Sequence, residues 1–211
     1  MTGDEPRAQP HYFDPEPGTD AAPREIAVQL GGREVRVLTA GGVFSGERVD
    51  LGTRVLLREV PPPPTSGDLL DLGCGWGPLA LSMAMQSPRA TVWAVDVNAR
   101  ARELTAENAR RLGLPRVRAV APDDVPDAVR FAAVWSNPPI RIGKPELHAL
   151  LLRWLPRLTP GGEAHLVVQR NLGADSLHAW LGGALPAAVG RDVEVVRLGS
   201  AKGYRVLRVR P

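Results

Sequence analysis

The stretch Asp68-Leu-Leu-Asp-Leu-Gly-Cys-Gly-Trp-Gly77 decides the fold, because a short apolar run leads directly into three closely spaced glycines. Asp68 to Leu72 predicts a buried strand, and a helical pattern resumes at Pro78, so the glycines form the turn between a strand and a helix. Glycine lets a ligand approach the backbone closely because it has no Cβ. The sequence therefore predicts a ligand-binding loop at the end of a strand.

The spacing of this loop separates two classes of nucleotide ligand. A dinucleotide-binding loop needs its third glycine at position 78, whereas here it is Gly77. Asp71 ends the strand close to where a pyrophosphate would lie, which disfavours NAD and favours a ligand with a cationic amino acid portion. Asp96 ends the next strand, 21 residues after Gly75, where a carboxylate accepts hydrogen bonds from both ribose hydroxyls. These residues indicate an adenosine-type ligand.

Strand and helix patterns alternate on both sides of this loop, which predicts an α/β fold with a doubly wound, mostly parallel sheet. Before it, residues 24–60 predict a β-hairpin around Gly31-Gly32 and a short helix from Thr53 to Leu57, packed on the core. The prolines at 61–64 form a stiff spacer before a main domain at 65–211. Residues 1–23 are rich in Pro, Gly and acidic residues and predict a mobile tail.

A second motif, Asn137-Pro138-Pro139-Ile140, follows the predicted strand over 131–135. Two prolines fix the backbone and remove two N–H donors, so the Asn137 amide and the Pro138 carbonyl are predicted to project as rigid acceptors. Two converging acceptors suit a planar exocyclic amino group. The alternative is that the motif is only a rigid turn. The motif resembles the Asn-Pro-Pro-aromatic motif of methyltransferases that act on amino groups of bases or glutamine, with Ile140 in place of the aromatic residue.

The glycine loop with Asp96 resembles the class I methyltransferases that use S-adenosylmethionine. The resemblance implies a Rossmann-like fold with a seven-stranded sheet and helices on both faces. It also implies that Gly73 and Gly75 flank the methionine portion and that Asp96 holds the ribose, while Asp123 or Asp124 contacts adenine. The full set of predicted cofactor-binding residues is Thr53, Asp71, Gly73, Cys74, Gly75, Gly77, Asp96, Val97, Asn98, Asp123, Asp124 and Asn137.

Longer strings narrow the resemblance to small-type methyltransferases that modify guanine N2 in small-subunit ribosomal RNA. These strings are Gly42-Val-Phe-Ser45, Asp50-x-Gly52-Thr53, Asn137-Pro-Pro-Ile-Arg-Ile-Gly-Lys144, Arg170-Asn-Leu-Gly-Ala-Asp175 and Lys202-Gly-Tyr-Arg205. The resemblance runs from about His11 to the end and covers a single catalytic domain, without the second domain of two-domain members. It implies that Asn137, Pro138, Pro139 and Ile140 form the catalytic loop and that Phe44, Arg141 and Lys144 line the target pocket.

Composition limits the partners. Of 26 basic residues 24 are Arg, a bias that a GC-rich genome alone would also produce. The last 71 residues carry eleven basic side chains against five acidic ones, which suits a polyanionic partner such as RNA. Arg205, Arg208 and Arg210 on the last strand are predicted to share one face, which is either solvated or turned toward RNA. We expect no membrane span, no secretory signal and, with the lone Cys74 and four scattered histidines, no metal. The expected protein is cytoplasmic, and a monomer or weak homodimer.

These observations predict an S-adenosylmethionine-dependent methyltransferase acting on an exocyclic amino group, guanine N2 in small-subunit RNA or a ribosomal particle being the leading substrate. One alternative is glutamine N5 methylation in a protein such as a release factor, against which Ile140 and the basic C-terminal third argue. Another is a non-catalytic RNA-binding module with a vestigial cofactor site, against which the intact Gly73, Asp96 and Asn137 argue.

Overall fold

The computed structural model describes residues 22–211, so most of the predicted tail, including His11, lies outside the described residues. The helices and strands, in chain order, are β1 (Arg24–Leu30), β2 (Arg33–Thr39), α1 (Leu51–Glu59), β3 (Asp68–Leu72), α2 (Pro78–Gln86), β4 (Thr91–Val95), α3 (Ala99–Arg111), β5 (Val117–Val120), β6 (Phe131–Ser136), α4 (Lys144–Trp154), β7 (Leu158–Gln169), α5 (Ala174–Val189), β8 (Glu194–Ala201) and β9 (Tyr204–Arg210).

Seven strands form one sheet in the order β5-β4-β3-β6-β7-β9-β8, and β1 pairs with β2 in a separate hairpin. Strands β3 to β7 are parallel, and β9 runs antiparallel to both of its neighbours. The predicted fold class is confirmed. The chain order reverses at β3, whose neighbours are β4 and β6, and open α/β sheets bind ligands at such a reversal.

Helices cover both faces of the sheet. On one face, Leu151 and Trp154 of α4 and Leu181 of α5 pack in a cluster with strand residues such as Leu70 and Val134. On the other face, residues of α1 and α2 pack against the strand side chains that point the opposite way, as the two-residue period of a strand requires. Within the described residues no helix is long and apolar enough to cross a membrane.

The hairpin is fastened to the α2–α3 side of the core. Its inward side chains Leu30 and Val37 are buried with Leu81 and Leu104. The fully buried Asn108 of α3 binds the free edge of β2: its Oδ1 accepts from the Leu38 N–H at 2.6 Å, and its Nδ2 donates to the Leu38 carbonyl at 2.8 Å. One amide therefore satisfies backbone groups that an edge strand would otherwise leave unpaired.

Strand β7 is longer than the sequence predicts. Alternation indicated a strand over 164–168, because Pro160-Gly161-Gly162 has the composition of a turn. The observed strand starts at Leu158, and its register with β6 shifts between the pairs Phe131–Leu158 and Ala133–Glu163. The extra residues form an irregularity inside the strand, with Gly161 at a φ of +76°.

The prediction that three arginines of β9 share one face is wrong for Arg205. Side chains alternate along a strand, so position 205 points opposite to positions 208 and 210. The Arg205 guanidinium pairs with Asp175 of α5, whereas Arg208 and Arg210 pair with Glu194 and Glu163 respectively. These arginines hold the C-terminal strands together through carboxylates of the same chain.

Replacing Asn108 by Ala should cost about 3 kcal/mol of unfolding free energy, because two part-buried backbone groups of Leu38 lose their partner. Urea denaturation measures this loss, and amide hydrogen exchange at Leu38 should accelerate. Glu103→Ala, at an exposed position of the same helix, should change stability by no more than about 0.5 kcal/mol. Equal stability of the two variants would show that the amide does not hold the hairpin.

Candidate functional site

A cavity with an empty volume of about 330 Å³ opens beside the carboxyl end of β3. It brings together residues from three separate parts of the chain: the segment before α1, the glycine loop and the end of β6. Its lining residues are Phe44, Ser45, Asp50, Asp71, Gly73, Cys74, Gly75, Trp76, Pro78, Leu79 and Asn137. Phe44, predicted from the resemblance to line the target pocket, is 54% exposed and lies in this wall.

A second concavity of about 310 Å³ shares Gly73 with the first. It lies between the ends of β3 and β4 and the Asn-Pro-Pro loop. The lining residues are Leu72, Gly73, Val95, Asp96, Val97, Pro122, Pro139 and Leu150. Asp96 and Val97 are therefore placed in one wall and Pro139 in another, so the two predicted motifs face a common space.

The glycine loop is held by the end of the neighbouring strand. The Gly73 and Cys74 N–H groups donate to the Val95 carbonyl at 2.8 and 3.1 Å, and the Gly75 N–H donates to Asp96 Oδ2 at 2.9 Å. Gly73 and Gly75 have φ values of +80° and +56°, a region that side chains with a Cβ rarely enter. The loop therefore requires glycine for its conformation and depends on Asp96 for its position.

Asp71 is fully buried beneath this loop and lines the first cavity. Its Oδ2 accepts from the Ala80 N–H at 2.8 Å, while its Oδ1 has no hydrogen-bond partner within residues 22–211. Burial raises the pKa of Asp71 to about 8. A buried carboxylate oxygen without a donor fits a ligand that brings a cationic amino group, such as the methionine portion expected here.

Asp96 is 7% exposed and uses both carboxylate oxygens on backbone N–H groups: Oδ2 on Gly75 and Oδ1 on Asn98, each at 2.9 Å. Burial raises its pKa, and those N–H groups and Arg102 oppose the rise. Each oxygen has a second lone pair, so the same carboxylate can still accept from ribose hydroxyls. Asp96 thus fits both a ligand-binding role and a structural role.

Three other predicted cofactor residues have structural contacts. Asn98 caps α3 through its Oδ1, and its Nδ2 donates to the Gly42 carbonyl at 2.9 Å. Gly77 precedes α2, and a Cβ there would lie 3.0 Å from the Thr105 side chain. Cys74 is buried against Thr105, and burial raises the pKa of its thiol, which opposes a nucleophilic role.

The segment 41–50 closes over the glycine loop, a contact that sequence reasoning missed. The Trp76 Nε1 donates to the Ser45 carbonyl at 3.2 Å, and Asn98 holds the carbonyl of Gly42. The strings around Phe44 and Asp50 were the available signal, but nothing in their local pattern indicates which distant elements they touch. The fold places them in the wall of the same cavity as Asp71.

The Asn137-Pro-Pro-Ile loop forms a tight turn. Pro139 has φ −74° and ψ +79°, and the Ile140 N–H donates to the Pro138 carbonyl at 2.9 Å, the geometry of an inverse γ-turn. The Pro138 carbonyl oxygen, predicted to be a free acceptor, therefore already accepts one hydrogen bond from within the loop, and one of its lone pairs remains. Ile140 packs against the core cluster and offers no ring to a substrate.

The Asn137 side chain is hydrogen-bonded to the start of α1. Its Nδ2 donates to Asp50 Oδ2 at 2.9 Å and to Thr53 Oγ1 at 3.2 Å. Thr53, predicted to bind cofactor, is buried and touches Asn137 without lining either concavity. The amide nitrogen is thereby occupied, and the Asn137 carbonyl oxygen remains as its acceptor.

The remaining predicted residues lie outside the two concavities. The Asp123 carboxylate pairs with Arg153 at 2.7 Å and Asp124 is exposed, and of this turn Pro122 lines the second concavity. Arg141 and Lys144 are exposed just after the Asn-Pro-Pro loop, and neither forms an ion pair with another described residue. Across residues 22–211 no three His, Cys, Asp or Glu side chains are grouped to hold a metal.

Comparisons with known proteins agree with this arrangement. The family described as "Methyltransferase small domain" matches residues 34–208. The chain is 36% identical over 169 residues to the uncharacterized protein YbxB of Bacillus subtilis (strain 168), covering 79% of this chain and 84% of that one. It is 35% identical over 161 residues to ribosomal RNA small subunit methyltransferase C of Stutzerimonas stutzeri (strain A1501), covering 74% of this chain and 48% of that one.

A solved structure shares the fold. The T. thermophilus 16S rRNA N2 G1207 methyltransferase (RsmC), in complex with AdoMet and guanosine, superposes with a TM-score of 0.73 at 24% identity, covering 92% of this chain and 52% of that one. The chain thus spans about half the length of these two methyltransferases and most of the Bacillus protein.

Burial of Asp71 predicts a pH-dependent stability. The folded protein keeps a proton up to about pH 8 that the carboxyl normally releases near 3.8, so stability falls as pH rises through this window. His165, whose pKa burial lowers to about 4, acts in the opposite direction below pH 6.5. Between pH 6.5 and 7.5 the parent should therefore lose about 1 kcal/mol more than Asp71→Asn, measured by urea denaturation. Parallel slopes would contradict an Asp71 carboxyl that is protonated in the folded protein.

Proposed function

This chain belongs to the methyltransferase small domain family, and on that premise we propose that it transfers the methyl group of S-adenosylmethionine to guanine N2 in ribosomal RNA. The observation that carries the proposal is the first cavity. It is lined by the glycine loop, by Asn137 and by Asp71, whose Oδ1 has no hydrogen-bond partner among the described residues. One concavity would therefore offer acceptors both to a cationic amino acid group and to a target amine. S-adenosylmethionine is the ligand of the structural neighbour RsmC.

The residues present fit the cofactor in three places. Asp71 would accept from the methionine ammonium, the Gly73–Gly75 loop would admit the ligand without a Cβ in the way, and Asp96 would accept from the ribose. The space beside Gly75 is open: among the described residues, a Cβ built there would have the Phe44 carbonyl oxygen, at 3.8 Å, as its neighbour. The bound cofactor supplies an electrophilic methyl group on a sulfonium, whose departure as a neutral thioether needs no acid.

The protein then contributes positioning more than bond chemistry. The Asn137 Oδ1 and the remaining lone pair of Pro138 would accept the two hydrogens of the exocyclic amine and direct the nitrogen lone pair at the methyl group. As the N–C bond forms and the S–C bond breaks, positive charge grows on that nitrogen, and both acceptors bind it more tightly. The extra proton leaves afterwards to water. A guanine stacked in a duplex cannot enter, so the target base is unpaired or flipped out.

Exposed cations that follow the carboxyl ends of β6 and β7 support RNA over protein as the substrate. Arg141 and Lys144 follow the Asn-Pro-Pro loop, and Arg170 meets the Lys202 turn, where its N–H donates to the Gly203 carbonyl at 2.8 Å. None of these four side chains forms an ion pair within the described part of the chain, in contrast to the arginines of β9. Exposed cations that have no carboxylate partner among the described residues are suited to binding phosphate groups. The acceptor pair of Asn137 and Pro138 would also fit a glutamine amide, so the exposed cations are the feature that favours RNA.

The proposal is tested by following labelled methyl groups from S-adenosylmethionine into purified small subunits, large subunits, naked ribosomal RNA and release factor. We expect the label in small-subunit RNA, recovered after nuclease digestion as N2-methylguanosine. Asn137→Ala should bind cofactor and RNA within a few-fold of the parent, because phosphate contacts dominate RNA affinity. Its single-turnover rate should fall at least about a hundredfold, as for other lost transition-state contacts. Label in protein, or a parental rate for Asn137→Ala, would refute the assignment.

Cofactor binding has its own test. Asp96→Ala should weaken S-adenosylmethionine binding by about 1.5–3 kcal/mol in calorimetry, the range for hydrogen bonds to a charged group. Asp127→Ala, an exposed carboxylate that lines neither concavity, is the matched control and should bind as the parent does. Because Asp96 also holds two backbone N–H groups, a thermal melt of each variant accompanies the titration. Unchanged affinity in a folded Asp96→Ala would remove this carboxylate from the cofactor site.

A further inference from the structure

Asp50 has one more hydrogen bond than a helix cap needs. Its Oδ2 accepts from the Gly52 and Thr53 N–H groups at 2.7 and 3.2 Å, which caps α1, and also from Asn137 Nδ2 at 2.9 Å. The third bond joins residues 87 positions apart and connects the segment before α1 to the loop after β6. Asp50 also lines the first cavity beside Asn137. Capping of α1 accounts for the first two hydrogen bonds, whereas the third contributes nothing to the helix.

This third bond determines which end of the Asn137 amide faces the cavity. A carboxylate can only accept, so the amide must turn its nitrogen toward Asp50, and its oxygen lies on the other branch. Without that constraint the amide could rotate by about half a turn and exchange its two ends, because this torsion is broad and roughly two-fold. An amide presenting NH2 to a target amine would repel it, since both groups are donors.

The charge of Asp50 adds to the orientation. A hydrogen bond from an amide N–H to a carboxylate is charge-assisted and shorter and stronger than a neutral one. Because linked hydrogen bonds polarise one another, electron density on the Asn137 oxygen increases and this oxygen becomes a better acceptor. The benefit is greatest when the amine becomes positive, that is, during the transfer.

The local sequence allows this close approach. A Cβ at Gly52 would lie 2.9 Å from Asp50 Oδ2 and 2.8 Å from the Tyr204 ring, so a side chain at position 52 would displace the carboxylate. Thr53, in the first turn of the same helix, places its hydroxyl 3.2 Å from the Asn137 nitrogen. Asp50, Gly52 and Thr53 thus build one clamp around the amide nitrogen.

We propose that Asp50 is a positioning residue for methyl transfer, holding the Asn137 amide with its oxygen directed at the target amine. The inference rests on the proposed function of Asn137. The Asp50-x-Gly52-Thr53 segment would then raise the rate of methyl transfer without changing the affinity for cofactor or RNA.

The test compares two substitutions that differ in what they preserve. Asp50→Ser keeps a good helix cap but withdraws the acceptor from Asn137. Asp50→Asn keeps a carbonyl oxygen that can accept from the same nitrogen. We expect Asp50→Ser to bind S-adenosylmethionine and RNA within about threefold of the parent, to melt near the parental temperature, and to lose at least tenfold in single-turnover rate. Asp50→Asn should recover most of that rate, and Glu47→Ser, an exposed carboxylate of the same segment, should leave it unchanged.

A second measurement needs no activity. In nitrogen-15 NMR spectra, the side-chain NH2 signal of Asn137 is identified by its absence in Asn137→Asp, and its hydrogen exchange should be slow in the parent and in Asp50→Asn. In Asp50→Ser that exchange should accelerate at least tenfold.

Should Asp50→Ser prove unstable, Asp50→Thr, which introduces another capping residue, takes its place. A parent that methylates no RNA would refute the proposed function while this exchange experiment still tests the clamp. Parental exchange or a parental rate in a folded, capped Asp50→Ser would overturn the role of Asp50.

Discussion

The backbone between β3 and α2 must expose its glycines to a ligand and still have its polar groups satisfied. Two carboxylates meet this constraint. Asp71 binds the Ala80 N–H in the first turn of α2, and Asp96 binds the Gly75 N–H from the adjacent strand end. Because unsatisfied buried N–H groups are costly, the shape of the loop depends on these two anchors. The position of both concavities follows from it, since each includes Gly73 in its wall.

The same principle operates at the other motif. Asn137 is the first residue after β6, and the turn that follows is fixed by prolines and by the bond from Ile140 to Pro138. Its amide nitrogen is satisfied by Asp50 and Thr53, which precede the glycine loop in the chain. The N-terminal segment therefore completes the site rather than merely preceding it. The hairpin, bound to α3 through Asn108, anchors the beginning of that segment.

Local patterns predicted most of the fold and only part of the site. Strands such as β3 and β4 were predictable because short, mostly apolar runs mark buried parallel strands, and glycines follow β3 directly. Strand β7 was not, since the turn-like residues Pro160-Gly161-Gly162 lie inside it. Contacts between distant segments, such as that of Asp50 with Asn137, leave no periodic signal in one sequence. The assignment of Arg205 to the wrong face was different, because strict alternation of the strand already separates position 205 from 208 and 210.

Negative and positive side chains are separated at this site: carboxylates line the two concavities, and cations lie on the surface outside them. Asp50, Asp71 and Asp96 line the concavities, and no lysine or arginine among the described residues does so. Exposed cations without an ion pair to another described residue lie outside the concavities and include Arg141, Lys144, Arg170 and Lys202. Burial raises the pKa values of Asp71 and Asp96, so the protein around them disfavours the charged carboxylates. A cationic ligand would relieve that cost, and in the proposed transfer the positive charge on the target amine would do so again. Since no described cation lines either concavity, none would oppose that charge there.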